Sequence, residues 1–362
     1  MAGKSKKTSS SSKGKKPRRS RKKGASAADK RPSFFIRALR YLVILVILGG
    51  LAGVGGLVGL FSYHGRDLPA IFKREDFKPS QITRVYSKDG HLIDELVAPD
   101  GRRTVVAFKD IAPHMRDAIL AAEDADFYRH QGLDYYGMVR ALYYAVRYDR
   151  MQGASTITQQ VVKNLVLTPE RTLKRKVQEI MLARQLDDRL EKDDILYIYL
   201  NQIYFGHGNY GVEEAARFYF GKRAAELSLS ESATLAGLVQ SPERLSPAKH
   251  PKRSLQRRRY VLEQMWKKGF ISEAEARTAT SDPVKVVGRK ERSPFLYKAP
   301  YYTAHVRREL ERRFPDQEIA AMGLRVTVAV DMDKQLQAQQ SLRDGLRALD
   351  ERKGFYRPIK TL

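Results

Sequence analysis

Pro113-His-Met-Arg-Asp-Ala-Ile-Leu-Ala-Ala-Glu123-Asp124-Ala-Asp126-Phe127-Tyr128-Arg129-His130-Gln131-Gly132 reads as an apolar helix that opens on proline, closes on three acids and stops at glycine. Apolar residues at 3.6-residue spacing carry this pattern on to about Thr280, with Pro113 and Pro169 at helix starts and Gly132, Gly206, Gly221 and Gly269 at helix ends. The segment 113–285 is therefore expected to be a mainly α-helical domain. Upstream, Ile82 to Phe108 alternates β-forming residues around Asp89-Gly90 and Asp100-Gly101, which predicts a small β element within a 64–112 linker. Downstream, Ser272-Glu-Ala-Glu275 is a capping box for a last helix. A strand pattern at Leu324 to Val330 and a helical one after Asp331 then make 286–362 a short α/β region.

The formal charge of +26 is unevenly distributed: residues 1–40 carry +14 of it, leaving +12 for the other 322. That moderate remainder has no finger, homeodomain or aromatic-basic signature with it, so nucleic acid is not an expected partner. Residues 1–33 are rich in Ser, Lys and Arg and nearly free of apolar side chains, so they are expected to be disordered, within a basic tail of residues 1–40. Tyr41 to Phe61 then runs for 21 residues without a charge, enough for a helix to cross a bilayer, and a span is placed at 41–63. The basic tail puts the N-terminus in the cytoplasm and everything after the span outside. Gly49 and Gly53, and Gly55 and Gly59, have the spacing that lets two such spans pack as a dimer. There is no cysteine, which excludes disulfides and thiolate chemistry.

Glu123 stands near a helix C-terminus beside Asp124, and both the dipole and the like charge favour the protonated form, as suits a general base. On spacing alone a solvated acidic helix end explains the same residues, and His130 reads first as a structural hydrogen-bonder. Gly153-Ala-Ser155-Thr156-Ile-Thr158-Gln159-Gln160-Val-Val-Lys163 opens a second helix with small and hydroxyl residues, and its free N–H groups suit an anion or a plain cap. Gln159 and Gln160 lie one turn from Lys163. Arg171, Arg175 and Glu179 recur every four residues, which lines two guanidiniums and a carboxylate on one stripe, suited to phosphate oxygens or to a plain Arg175–Glu179 surface pair. Between them, residues 127–150 interleave seven aromatics with Arg129, Arg140, Arg147 and Arg150, a composition suited to a lipid interface or to a helix with a charged face.

Other motif matches fail. Gly206-His-Gly208-Asn-Tyr-Gly211 follows a helical rather than a strand pattern, so it is no dinucleotide loop. Ser-x-x-Lys occurs only at Ser10, Ser12 and Ser20 in the tail, without a Lys-Thr-Gly, so no acylation by penicillins is expected.

As an ordered set, these segments resemble the peptidoglycan glycosyltransferase domain of class A penicillin-binding proteins and their monofunctional relatives. The resemblance rests on Glu-Asp-x-x-Phe-x-x-His at 123–130, Gly-x-Ser-Thr-Ile-Thr-Gln-Gln at 153–160, Arg-Lys-x-x-Glu at 175–179, Lys192 to Asn201, and Ala233 to Pro242. It implies a lysozyme-like helical fold over 113–285, with a jaw against the membrane. It also implies that Glu123 deprotonates the acceptor sugar 4-hydroxyl, which displaces a polyprenyl pyrophosphate with inversion. Glu179 is then the second catalytic carboxylate and the place for a divalent cation, Mg2+ or Mn2+. Arg140, Lys163 and Arg171 become donor-site cations. Asp124, Phe127, His130, Ser155, Thr158, Gln159, Gln160 and Arg175 become substrate-binding residues. The partners implied are lipid II, the growing glycan strand, membrane lipids and other cell-wall synthesis proteins, at the periplasmic face of the inner membrane. Two competing readings stay open: a lysozyme-like hydrolase, which also uses two carboxylates, and a non-catalytic membrane scaffold. Val326 to Gln340 resembles the entry to a transpeptidase domain, so the chain reads as a piece of a longer bifunctional enzyme.

Overall fold

The computed structural model describes residues 34–65, 68–148, 153, 155–168, 170, 172–288 and 293–354. The basic tail over residues 1–33 and Arg171 lie outside the described residues. The chain divides into two units at Leu60/Phe61.

Helix α1 (Phe34–His64) carries the uncharged run, and its stretch Ala38–His64, whose apolar window has a mean hydropathy of 2.5, is long and apolar enough to cross a membrane. At 1.5 Å per residue those 27 residues extend about 40 Å, more than a hydrocarbon core requires.

In the second unit the order is β1 (Thr83–Tyr86), β2 (Leu92–Leu96), β3 (Arg102–Arg103), α2 (Pro113–Glu123), α3 (Tyr135–Tyr148), α4 (Ile157–Leu165), α5 (Leu173–Asp187) and α6 (Lys192–Gln202). There follow β4 (Asn209–Tyr210), α7 (Gly211–Phe220), α8 (Leu229–Leu238), α9 (Pro242–Leu245), α10 (Pro251–Lys267), α11 (Glu273–Ser281), α12 (Pro300–Arg313), β5 (Arg325–Thr327) and α13 (Met332–Lys353). Helix predominates between 113 and 281, as the apolar periodicity predicts.

Helix α8 is the centre of the main core. Every residue from Ser230 to Leu238 is buried, because α2 and α10 pack against it from two sides. A Cβ on Gly237 would stand 2.9 Å from Arg257 Cγ, so this glycine lets α10 come close. The other side of the core is α4, packed on α5 and α6.

A second, smaller core differs from the sequence-based division. The Asp89-Gly90 turn forms as expected, and β1 pairs antiparallel with β2. β5, more than 200 residues later, pairs parallel with β1, Val85 opposite Val326, giving the order β2-β1-β5. Val85, Ile93 and Leu96 bury against Val306 and Leu310 of α12 and against Met332. Thr83 ties the two segments further: its hydroxyl donates to the Ile319 carbonyl (2.5 Å) and accepts from the Leu324 amide (3.0 Å). The β element at 82–98 and the segment after 293 therefore fold as one piece, although the sequence suggests a boundary near 285. Pairing across such a separation leaves no local mark, since each strand alone reads only as a strand.

Gly132 holds the loop between α2 and α3 against α5. Its φ is +76°, and a Cβ there would lie 2.6 Å from the Ala183 carbonyl oxygen. Gly90 has a similar φ of +80° but open space around it. Gly132→Ala is therefore expected to cost about 3 kcal/mol and Gly90→Ala about 1, since only the first adds a backbone clash to left-handed strain. Denaturant unfolding of the two variants measures the difference.

Candidate active site

Helix α2 delivers Glu123 as its last residue, half-buried at the wall of an open cleft of about 780 Å³. The next residue holds the geometry. Asp124 is buried, and its carboxylate takes the His130 Nε2 at 2.9 and 3.1 Å and the backbone amide of Ile157 at 3.0 Å. Ile157 is the first residue of α4, so the chain after α2 is clamped to the N-terminus of α4. Thr156 and Gln159 close that N-terminus reciprocally, the Gln159 amide donating to Thr156 Oγ1 (3.2 Å) and the Thr156 amide to Gln159 Oε1 (2.9 Å). The Thr156 hydroxyl then donates to the Gly132 carbonyl at 2.6 Å.

This registration brings Gln160 to Glu123: its Nε2 donates to Glu123 Oε2 at 2.8 Å. Burial raises the Glu123 pKa above the ordinary glutamate range, with the Asp124 charge adding to it, against the lowering effects of the Gln160 hydrogen bond, Arg257 and Lys163.

Asp124, Arg140, Ser155, Gln160 and Lys163 join Glu123 in lining the cleft. Several other expected substrate contacts are elsewhere. Phe127 is fully buried, packed edge-on against His130 with Lys192 Nζ 4.6 Å above its ring. Thr158 is also fully buried and donates to Asp187 (3.4 Å). Gln159 is consumed by the cap, and His130 by Asp124, the structural role its isolated position first suggests. These four support the cleft and do not face it; a motif shows which residues recur together, not which way each side chain turns.

Glu179 needs a similar correction. It is 2% exposed, and its oxygens hold Arg175 Nη1 (3.0 Å) and Lys176 Nζ; Lys176 also reaches Ser155 Oγ at 3.2 Å. Glu179 thus stands behind the Ser155 wall and positions two cations. This donor set does not suit a resident divalent ion: both carboxylate oxygens face cations, and among the described residues no group of three His, Asp or Glu side chains converges anywhere.

Four cleft residues escape the sequence reading: Arg257, Tyr260, Gln264 and, just past the end of α10, Lys268. They recur at helical spacing along one face, while Arg258, Val261, Leu262 and Met265 point into the core. Arg257 stacks over Tyr260, 4.4 Å from the ring centre. Their signal is hidden because α10 is basic on all its exposed sides, so no cation stands out.

Residues 89–266 match the model of the transglycosylase family. Penicillin-binding protein 1A of Rickettsia conorii is 39% identical over 305 residues, covering 83% of this chain and 38% of its own. The protein of the same name from Pseudomonas aeruginosa is 39% identical over 82% of this chain and 36% of its own, and that from Haemophilus influenzae 41% identical over 76% and 32%. The crystal structure of the Haemophilus influenzae protein matches 76% of this chain and 30% of its own at 28% identity, with a TM-score of 0.43. Residues 89–266 are thus a transglycosylase domain. Its domain is of the kind carried by class A penicillin-binding proteins, and the chain spans about a third of the length of the relatives it matches.

Asp124→Ala is expected to orphan both the Ile157 amide and His130, costing about 2–4 kcal/mol for two lost hydrogen bonds to a buried charge. Thermal unfolding measures the loss, and amide hydrogen exchange at Ile157 should accelerate ahead of the rest of α4.

Proposed function

We propose that the chain is a peptidoglycan glycosyltransferase that polymerises lipid II into glycan strands, and that Glu123 is its general base. The observation that carries the reading is a half-buried carboxylate of raised pKa in a cleft whose other walls bear Arg140, Lys163, Arg257 and Lys268. Glu123 takes the proton of the acceptor sugar 4-hydroxyl as that oxygen attacks the donor anomeric carbon from the face opposite the pyrophosphate. Configuration inverts from α to β, and the bond to the polyprenyl pyrophosphate breaks. Negative charge grows on the departing oxygen, and cations already in place stabilise it without reorganising. Arg175 and Lys176, held by Glu179, extend this positive field behind Ser155.

The same arrangement disfavours a hydrolase. A glycosidase needs a second carboxylate free to act as nucleophile or to activate water. Here Glu179 is buried between two cations and Asp124 between an amide and a histidine. A hydrolase also releases no pyrophosphate, which leaves the cations without a use.

The lipid half of the substrate has its own support in α3. Tyr135, Val139, Leu142 and Val146 form one exposed apolar stripe, 62 to 82% accessible, while Arg140 on the same helix lines the cleft. Such a stripe suits the headgroup–acyl boundary of a bilayer. We place the domain on the periplasmic face, with α1 as the anchor and the basic tail in the cytoplasm; dimerisation through the α1 glycines and contacts with other cell-wall proteins belong to the same proposal.

Glu123→Gln should reduce polymerisation of lipid II by at least about 100-fold, the usual value of a general base. The same variant should melt at a higher temperature at pH 7. A carboxyl whose folded pKa is raised destabilises the fold once pH exceeds its ordinary value, and the amide removes that charge. Normal polymerisation by the variant overturns the assignment. With the wild-type protein, activity should fall as pH drops through a midpoint above the ordinary glutamate value of 4.5, because only the ionised form accepts the proton.

A further inference from the structure

The segment Lys192 to Asn201 is part of the motif set, yet nothing in the reaction above uses it. It forms most of α6, packed behind α4, and it carries Tyr199, 1% exposed, whose hydroxyl donates to Gln160 Oε1 at 3.2 Å. We propose that Tyr199 is a positioning residue for the general base, holding the Gln160 amide in the one orientation that donates to Glu123.

This inference rests on the reading of Glu123 as base. An ionised carboxylate has only acceptors, so the side of the Gln160 amide that meets it must be the NH2 group. The carbonyl oxygen is then left on the far side, within the core, where an unsatisfied acceptor is costly. The Tyr199 hydroxyl is a donor at that point. Turning the amide by half a rotation would set its oxygen against Glu123 and its NH2 against the Tyr199 hydroxyl. Two acceptors would then face each other unless Glu123 carried a proton. The turned amide therefore favours the protonated acid, and Tyr199 penalises the turn because its buried O–H then loses the Gln160 oxygen that accepts from it. Lys163 from α4 and Arg257 from α10 also favour the ionised form, while Asp124 on the adjoining turn opposes it. The charges set the level of the base; Tyr199 sets the direction of its hydrogen bond. Tyr199 exchanges no proton itself: the proton of the acceptor hydroxyl passes to Glu123 alone.

The full chain in detergent, supplied with lipid II, tests this through Tyr199→Phe, Gln160→Leu and the double variant. Tyr199→Phe should lower kcat roughly tenfold with KM unchanged, and should move the acid limb of the pH profile up by about one unit, the scale of one hydrogen bond to a charged group. The double variant should be no slower than Gln160→Leu, because Tyr199 acts through the amide. An unmoved acid limb, or losses that simply multiply in the double variant, would mean that the hydroxyl only packs the core, and would overturn the proposal. A second measurement is independent of turnover: the Glu123 carboxyl titrated by 13C NMR in Glu-labelled protein, its signal assigned by its loss in Glu123→Gln. Its midpoint should rise in Tyr199→Phe. Where that variant does not fold, the midpoint must still rise in Gln160→Leu, and an unchanged midpoint there overturns the link. Failure of the base reading looks different, since Glu123→Gln would then polymerise normally while the titration shift persisted.

Discussion

The Asp124 carboxylate is the joint on which the cleft depends. A helix N-terminus presents amides with no partner inside the helix, and a buried carboxylate needs donors; Asp124 and the first amide of α4 meet both needs at once. With His130 closing its other side, Asp124 has no freedom to move, so the end of α2 and the start of α4 are set to each other. Gln160 reaches Glu123 only because of that register. The adjacent pair of acids thus divides its work by environment: one is tied by fixed donors and builds the site, the other keeps an oxygen toward the cleft and is pushed toward protonation by burial.

Electrostatics separates the other acids in the same way. Glu179 lies between two cations and is paired with both, so it fixes their positions. Glu95 and Glu214 do comparable structural work far from the cleft: Arg84 pairs with both, Arg102 with Glu95, and Thr104 donates to Glu214 at 2.6 Å, which fastens the β1–β3 region to α7. These pairs are buried, and breaking one side of any of them would leave an uncompensated charge in the interior. Of the two acids that line the cleft, Asp124 is held by an amide and a histidine, and Glu123 accepts a hydrogen bond from the neutral Gln160 amide.

Much of this was legible in the chain. The 3.6-residue periodicity sufficed for the helices, the glycine and hydroxyl residues of 153–158 for the start of α4, Asp89-Gly90 for the hairpin, and the uncharged run for α1. These features are local, since each depends on residues within a turn or two. Glu123 and Gln160 could be named from their motifs but not joined, because a separation of 37 residues carries no distance.

What the sequence by itself determined is therefore the identity of the elements and the kinds of groups available: an apolar span, a helical domain, one acid pair, several cations. Only the tertiary structure decided which of them act. It turned Phe127, Thr158 and Gln159 into the core, set Glu179 behind the cleft wall, brought Arg257 and Tyr260 into it from α10, and placed β5 beside β1. The physical reason is the same in each case. Burial, desolvation and pairing are properties of what surrounds a side chain in space, and packing alone supplies those surroundings.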